Sequence, residues 1–163
     1  MIAARKGYTG RRGFTLIELV ATLAILGILA SLALPVAEMT ARRHKEQELR
    51  YHLRQLRDAI DAYRRAWDDS RIVRNAGDTG YPPSLERLVE GVEDQRDTEK
   101  RRIYFLRRIP TDPFAAPGLS GAASWGKRAY ASSHDEPREG DDVYDVFSLS
   151  SGIGINGQPY RQW

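Results

Sequence analysis

The first third of the chain changes from basic to apolar to amphipathic. Residues 1–13 carry four basic residues and no acid, namely Arg5, Lys6, Arg11 and Arg12. Residues 14–34 then contain one ionisable group, Glu18, and Pro35 follows. As a helix, this apolar run would be about 31 Å long, enough to cross the hydrocarbon core of a bilayer. The pattern therefore predicts a membrane helix over residues 14–35, preceded by a separate basic leader.

A secretory signal peptide also combines a basic start with an apolar run. Here the run is too long for the apolar region of such a peptide, and no A-x-A cleavage pattern follows it. The sequence thus favours a membrane helix that is retained. Lys and Arg counts do not orient it, because residues 1–13 and residues 36–50 carry four each.

Residues 36–67 predict a continuation of the same helix. Apolar residues recur there at spacings of three and four, at Leu49, Leu53, Leu56, Ile60, Tyr63 and Trp67. Such a stripe has two interpretations, a coiled coil with another chain or packing against the chain's own globular domain. A coiled coil usually needs three or four heptads, so the short stripe favours the second interpretation.

Residues 68–163 predict a small globular head. The Tyr81-Pro82-Pro83-Ser84 sequence forbids helix and then offers Ser84 as the N-cap of a short helix, Leu85 to Glu90, ending near Gly91. A charged loop is expected over 93–102, and strands over 125–131 and 143–149. The expected fold class is α+β, with the long N-terminal helix packed on a small antiparallel sheet.

The amino-acid composition excludes several kinds of chemical site. There is no cysteine among the 163 residues, which excludes disulfides, thiol nucleophiles and cysteine-ligated metal centres. No catalytic motif is recognisable, so we predict that the protein is not an enzyme. The net charge of +3 arises from 25 Lys and Arg against 22 Asp and Glu. Without the four basic residues of 1–13, 21 remain against 22, a net charge of −1 that argues against nucleic acid as a partner.

The start of the apolar run resembles the class III signal of type IV pilins and type II secretion pseudopilins. The residues that carry the resemblance are Arg11-Arg12-Gly13-Phe14-Thr15-Leu16-Ile17-Glu18-Leu19, with Pro35 near the end of the run. In that family a membrane peptidase cuts after the glycine and methylates the new N-terminal residue. The resemblance implies cleavage between Gly13 and Phe14, N-methylation of Phe14, a cytoplasmic leader and a periplasmic head on a single-pass inner-membrane helix.

Glu18 and Pro35 are the candidate assembly residues. A carboxylate inside a membrane helix costs a few kcal/mol and usually needs a partner. Either Glu18 lies close enough to the interface to reach water, or, as the family implies, it pairs with the free amine of a neighbouring subunit. Pro35 removes a backbone donor, which predicts a kink or a local loss of helix. Gly27 is a second weak point or a site of close helix packing.

The head is similar to the major pseudopilins of type II secretion, the general secretion pathway protein G family. The similarity lies in four segments taken in order: residues 81–89, residues 104–114, Trp125 and residues 143–148. It implies a homopolymer that also contacts other pseudopilins, the prepilin peptidase and the inner-membrane assembly platform. The alternatives are a type IV pilin or minor pilin, and a DNA-binding pilin-like protein.

The family resemblance also implies calcium, bound in a C-terminal loop rich in Asp. Calcium takes six to eight oxygen ligands, and carboxylates supply most of the affinity. This chain has no acid after Asp145, so only Asp141, Asp142 and Asp145 are weak candidate ligands. We therefore expect no resident metal or other cofactor.

Overall fold

The computed structural model describes residues 13–163, except for the side chains of residues 32–34. The chain divides into two units, one up to Ala41 and one from Arg42 to Trp163. The elements, in chain order, are helix α1 (Leu16–Asp68), helix α2 (Glu86–Glu90), strands β1 (Val92–Glu93), β2 (Arg102–Ile103), β3 (Trp125–Arg128) and β4 (Asp145–Ser148), with short 3₁₀ helices at Gly121–Ser124 and Tyr160–Gln162.

Helix α1 has the extent that the sequence predicts, within two residues at each end. It continues through Pro35, so the local loss of helix expected there does not occur. At its C-terminus, the Arg74 guanidinium donates to the carbonyl oxygens of Trp67 and Asp68, at 2.8 and 2.7 Å. These bonds satisfy carbonyl groups that have no partner inside the helix.

The apolar stripe of α1 forms one wall of the core in the unit 42–163. Its first five members are buried, namely Leu49, Leu53, Leu56, Ile60 and Tyr63. They pack in one cluster with residues of the other elements, including Leu88, Val92, Trp125 and Val146. Each buried side chain of this size contributes about 1.5–3 kcal/mol. Packing against the chain's own globular domain is therefore confirmed.

The strands form two antiparallel pairs. β1 pairs with β2 through Val92 opposite Ile103. β3 pairs with β4, with Trp125 opposite Ser148 at one end and Arg128 opposite Asp145 at the other. The long helix with small antiparallel sheets confirms the α+β, pilin-like fold.

The strands are shorter than the sequence patterns predict. β3 stops at Arg128 rather than Ala131, and β4 spans only Asp145–Ser148. Val143 is buried outside the strand, where its N–H donates to the Pro82 carbonyl at 2.8 Å. Leu149 leaves the core, with 53% of its surface exposed. The hydrogen bond to Pro82 thus keeps Val143 outside β4. The alternation of apolar and polar residues along the sequence cannot reveal such a contact.

The prediction that Ser84 caps α2 is wrong. The residue that precedes the helix is Leu85, whose backbone is already in the right-handed helical region, at φ −67° and ψ −29°. No side chain caps this end of α2. Leu85 is fully buried, and this apolar contact fixes the start of the helix. The predicted end is confirmed, because Gly91 adopts φ +74° and its N–H donates to the Arg87 carbonyl.

The charged segment 93–102 is the connection of a hairpin. It contains the end of β1 and the start of β2. Asp94 is buried at the turn and accepts hydrogen bonds from the Arg71 guanidinium, at 2.5 Å, and from the Arg96 N–H, at 3.0 Å. The negative charge of Asp94 is therefore stabilised by hydrogen bonds from other residues of the head rather than by water.

Candidate functional site

The start of α1 carries the residues that the sequence marks for processing. Gly13, Phe14 and Thr15 precede the helix, and the Thr15 hydroxyl accepts a hydrogen bond from the Glu18 N–H at 3.2 Å. Thr15 therefore caps the helix, with Glu18 three residues later, which is the spacing of a capping box. The sequence reasoning missed this cap, although the Thr-x-x-Glu pattern could have revealed it. It places Glu18 in the first turn, where a helix dipole favours a negative charge.

The apolar half of α1 has no partner within the described part of the chain. Phe14 is 81% exposed, and the large apolar residues after it are exposed as well. This is the one described helix long and apolar enough to cross a membrane, and no part of its apolar window is buried. An exposed apolar surface of this extent marks an interaction with lipid or with other proteins.

The hydroxyl groups within the apolar run are satisfied by the helix itself. Thr22 Oγ1 donates to the Leu19 carbonyl at 2.8 Å, and Ser31 Oγ donates to the Ile28 carbonyl at 2.7 Å. These bonds lower the cost of placing hydroxyl groups in a bilayer, where water is absent. The Glu18 carboxylate is different, since it makes no hydrogen bond or ion pair with any residue from 13 to 163. Glu18 is therefore the one ionisable group of the apolar run 14–34, and no residue from 13 to 163 compensates its charge.

Neither glycine at the apolar run is required by the chain's own packing. A Cβ atom added at Gly13 or Gly27 would meet nothing within 4 Å among the described residues. Gly91 differs, since a Cβ there would lie 2.7 Å from the Ile103 carbonyl oxygen. Within the described part of the chain, no contact therefore requires glycine at position 13 or 27.

Two of the three candidate calcium ligands, Asp145 and Asp142, make other hydrogen bonds in the structure. Asp145 Oδ1 accepts from Arg57 Nε at 2.8 Å, and Asp145 Oδ2 lies 3.4 Å from Arg128 Nη2. Asp142 accepts hydrogen bonds from the Thr79 hydroxyl and the Tyr130 N–H. Asp141 is exposed. Across residues 13–163, no three His, Cys, Asp or Glu residues form a group that could hold a metal ion.

The basic residues of the hairpin connection are partly paired. Arg101 Nε lies 2.6 Å from Asp97 Oδ2 and 3.5 Å from Glu99 Oε2. Arg102 donates to the Glu90 carbonyl at 3.0 Å. The ion pairs of Arg101 make this surface one of mixed charge.

Comparison with protein families finds one matching model at the N-terminus. The model described as "Prokaryotic N-terminal methylation motif" matches residues 6–34. That range includes Gly13, Phe14 and Glu18 and most of the exposed apolar run. The capped helix start and the unburied apolar surface therefore coincide with a recognised motif. No solved structure matches the chain.

Characterised proteins extend the similarity to the head. Type II secretion system core protein G of Dickeya chrysanthemi is 27% identical over 157 residues, which cover 90% of this chain and 93% of that protein. The protein of the same name from Klebsiella pneumoniae is 31% identical over 110 residues, covering 65% and 71%. The one from Klebsiella michiganensis is 30% identical over 121 residues, covering 68% and 78%. With its apolar N-terminal helix and its small α+β head, this chain belongs to the type II secretion system core protein G family, the major pseudopilins.

Proposed function

We propose that this protein is a structural subunit of the type II secretion pseudopilus that polymerises into a periplasmic fibre driving protein secretion. The observation that carries the proposal is the apolar run that begins at Phe14, whose described side chains are all exposed. It lies within the matched N-terminal methylation motif. Such a surface suits a helix that leaves the bilayer to pack against the same helix of other subunits. The family is structural, and this role requires no catalytic group.

Processing would occur immediately before this helix. Prepilin peptidase would cut between Gly13 and Phe14 and methylate the new amine of Phe14. Two observations support this site: both residues precede the first turn of α1, and Phe14 is exposed. The free space around Gly13 within the described chain leaves the glycine to be explained by the fit of the peptidase.

Glu18 would set the register of assembly. Its carboxylate has no partner among residues 13–163, and burying it in a bilayer costs a few kcal/mol. The mature amine of Phe14 on a neighbouring subunit would supply the opposite charge. This pairing favours one axial offset between neighbouring helices, because any other offset leaves the carboxylate unpaired.

The topology follows from the same proposal. Residues 1–13 would be a cytoplasmic leader, 14–35 the inner-membrane span, 36–67 the periplasmic part of the helix and 68–163 the periplasmic head. Pro35 would lie at the end of the span, where it belongs to the assembly region. The partners would be copies of this chain, other pseudopilins, the prepilin peptidase and the inner-membrane assembly platform.

Co-expression with a prepilin peptidase tests the proposal. The expected product begins at N-methylphenylalanine 14, as read by mass spectrometry of the N-terminal peptide. The Gly13→Leu variant should keep the full precursor mass, while Gly27→Leu serves as a control that should be cut normally. In the native host, loss of the gene should stop export of type II substrates, and the wild-type chain should restore it. Normal export without the gene, or an uncut wild-type precursor, would contradict the proposal.

A further inference from the structure

The last part of the chain, residues 149–163, is here called the C-terminal segment. The family resemblance implies that calcium holds this region. Calcium needs six to eight oxygen ligands, with carboxylates prominent among them. The C-terminal segment contains no Asp or Glu. The residues present therefore do not fit the ion, and another interaction must hold the segment in place.

A carboxylate from helix α1 reaches the C-terminal segment. Glu46 Oε1 accepts hydrogen bonds from the Ile155 N–H at 2.8 Å and from the Tyr160 hydroxyl at 2.9 Å. The Glu46 side chain is only 8% exposed. Burying a carboxylate is costly unless it is hydrogen-bonded and paired, so these contacts are built into the fold.

Arg42 completes this contact one helical turn earlier. Its Nε lies 3.6 Å from Glu46 Oε1 and donates to the Tyr160 hydroxyl oxygen at 3.3 Å, and its Nη2 donates to the Ile153 carbonyl. Burial raises the pKa of Tyr160, so its hydroxyl stays protonated and continues to donate to Glu46. The Tyr160 ring stacks on Phe114, with centroids 4.3 Å apart.

Arg57 bonds the last residue of the C-terminal segment and strand β4, which precedes the segment. Its Nη2 donates to the Val146 carbonyl at 3.1 Å and to the Trp163 carbonyl at 2.7 Å, while its Nε donates to Asp145 Oδ1 at 2.8 Å. Asp145 is the last carboxylate of the chain. Asp145 Oδ1 and these two carbonyl oxygens are thus already bonded to a guanidinium group, whose positive charge would repel a divalent ion nearby.

The C-terminal segment also closes on itself. Ile153 and Pro159 form an isolated antiparallel bridge, and the Gly154 N–H donates to the Gln158 carbonyl at 2.8 Å. Gly157 turns the chain between them at φ +80°. The segment is therefore a compact loop, and these internal bonds do not attach it to helix α1.

We propose that Glu46, Arg42 and Arg57 of helix α1 attach the C-terminal segment without a divalent cation. The two guanidinium groups provide the positive charge that calcium would contribute, and Glu46 bonds the backbone at the middle of the loop. The head of this pseudopilin is then independent of calcium. This inference concerns only the fold of the head, so its test is independent of the tests of processing and secretion.

Hydrogen–deuterium exchange on the full chain in detergent tests the proposal directly. Samples would contain either calcium at about 5 mM, above the dissociation constants of weak extracellular sites, or the chelator EGTA. The expected result is the same protection of residues 149–163 and the same thermal unfolding midpoint in both samples. Stronger protection or a raised midpoint with calcium would overturn the proposal.

Substitution of the carboxylate provides the second arm. Glu46→Gln should speed exchange in the C-terminal segment by about tenfold, the loss expected when a hydrogen bond to a charged group is weakened. Glu48→Gln, an exposed residue on the same helix, is the matched control and should change nothing. Unchanged exchange in Glu46→Gln, or a defect that calcium repairs, would refute the proposed attachment.

A third variant applies if Glu46→Gln fails to fold. Tyr160→Phe removes only the hydroxyl that donates to Glu46 and keeps the aromatic stack on Phe114. It should speed exchange in residues 149–163 while leaving the exchange of β3 unchanged. Equal exchange in this variant and the wild-type chain would contradict the proposal.

Discussion

Ser148 Oγ donates a hydrogen bond to Asp112 Oδ2 at 2.5 Å, and both residues are buried. The bond joins the end of β4 to the Pro110-Thr111-Asp112-Pro113 turn, 36 residues earlier in the chain. Asp112 Oδ1 also accepts from the Phe114 N–H at 2.7 Å. Two segments that carry the resemblance to the major pseudopilins are thus bonded to each other inside the head.

Removing the Asp112 carboxylate should therefore destabilise the head. In Asp112→Ala, the Ser148 hydroxyl and the Phe114 N–H lose their acceptor, and an unsatisfied buried donor costs about 1–3 kcal/mol. Urea unfolding of the full chain in detergent would show a lower midpoint. Asp135→Ala, at an exposed loop position, should unfold like the wild-type chain. An unchanged midpoint for Asp112→Ala would show that the pair contributes nothing to stability.

Trp125 should be sensitive to a loss of its indole nitrogen. Its ring is buried, and Nε1 donates to the Pro110 carbonyl at 2.8 Å. Trp125→Phe removes this donor and leaves a small cavity, with an expected cost of about 1–3 kcal/mol. Trp67→Phe should cost less, because Trp67 Nε1 has no hydrogen-bond partner in the described structure. Chemical denaturation of both variants compares the two costs, and equal losses would contradict the role of the Pro110 bond.

Acid should weaken the attachment of the hairpin connection. The hydrogen bond from Arg71 lowers the pKa of Asp94 below its ordinary value. Because the pKa is lowered in the folded state, the stabilisation is present above the unfolded-state pKa of about 4 and is lost as pH falls through the lower, folded value. Thermal midpoints measured between about pH 6 and pH 2 should fall less steeply for Asp94→Asn than for the wild-type chain. Asp135→Asn should retain the wild-type slope, and identical slopes for all three proteins would refute the prediction.

Glu18 should separate processing from assembly. Glu18→Ala keeps the cleavage residues Gly13 and Phe14, so the precursor should still be cut. The variant loses the carboxylate that has no partner in the described chain, so its yield of fibre should fall to background in sheared-cell fractions. Glu38→Ala, also exposed on α1, is the control and should assemble. A normal yield of fibre from Glu18→Ala would contradict the proposed role in register.

Local patterns account for the parts of the fold that sequence predicted. The limits of α1 follow from the apolar run and the Leu49–Trp67 stripe, since helical periodicity is visible in the sequence itself. The cap at Thr15 is equally local, because the Thr-x-x-Glu spacing is present in the sequence. The Ser84 cap failed because burial of Leu85, a tertiary contact, fixed the start of α2. A local preference for a capping residue is overridden where the burial of a neighbouring side chain fixes the backbone conformation.

The sequence alone determined that a basic segment precedes an apolar helix, that an N-terminal methylation motif covers residues 6–34, and that the apolar stripe of the same helix packs against the head. Only the tertiary structure decided which groups the charged side chains meet. Asp145 meets Arg57 across 88 residues, and Glu46 meets Ile155 across 109. The physical reason is that burial makes an unpaired charge costly, so every buried carboxylate needs a partner, but chain folding chooses that partner. The spacing of apolar residues along the chain indicates which of them share the buried face of one helix. It does not indicate which residues of other elements they contact.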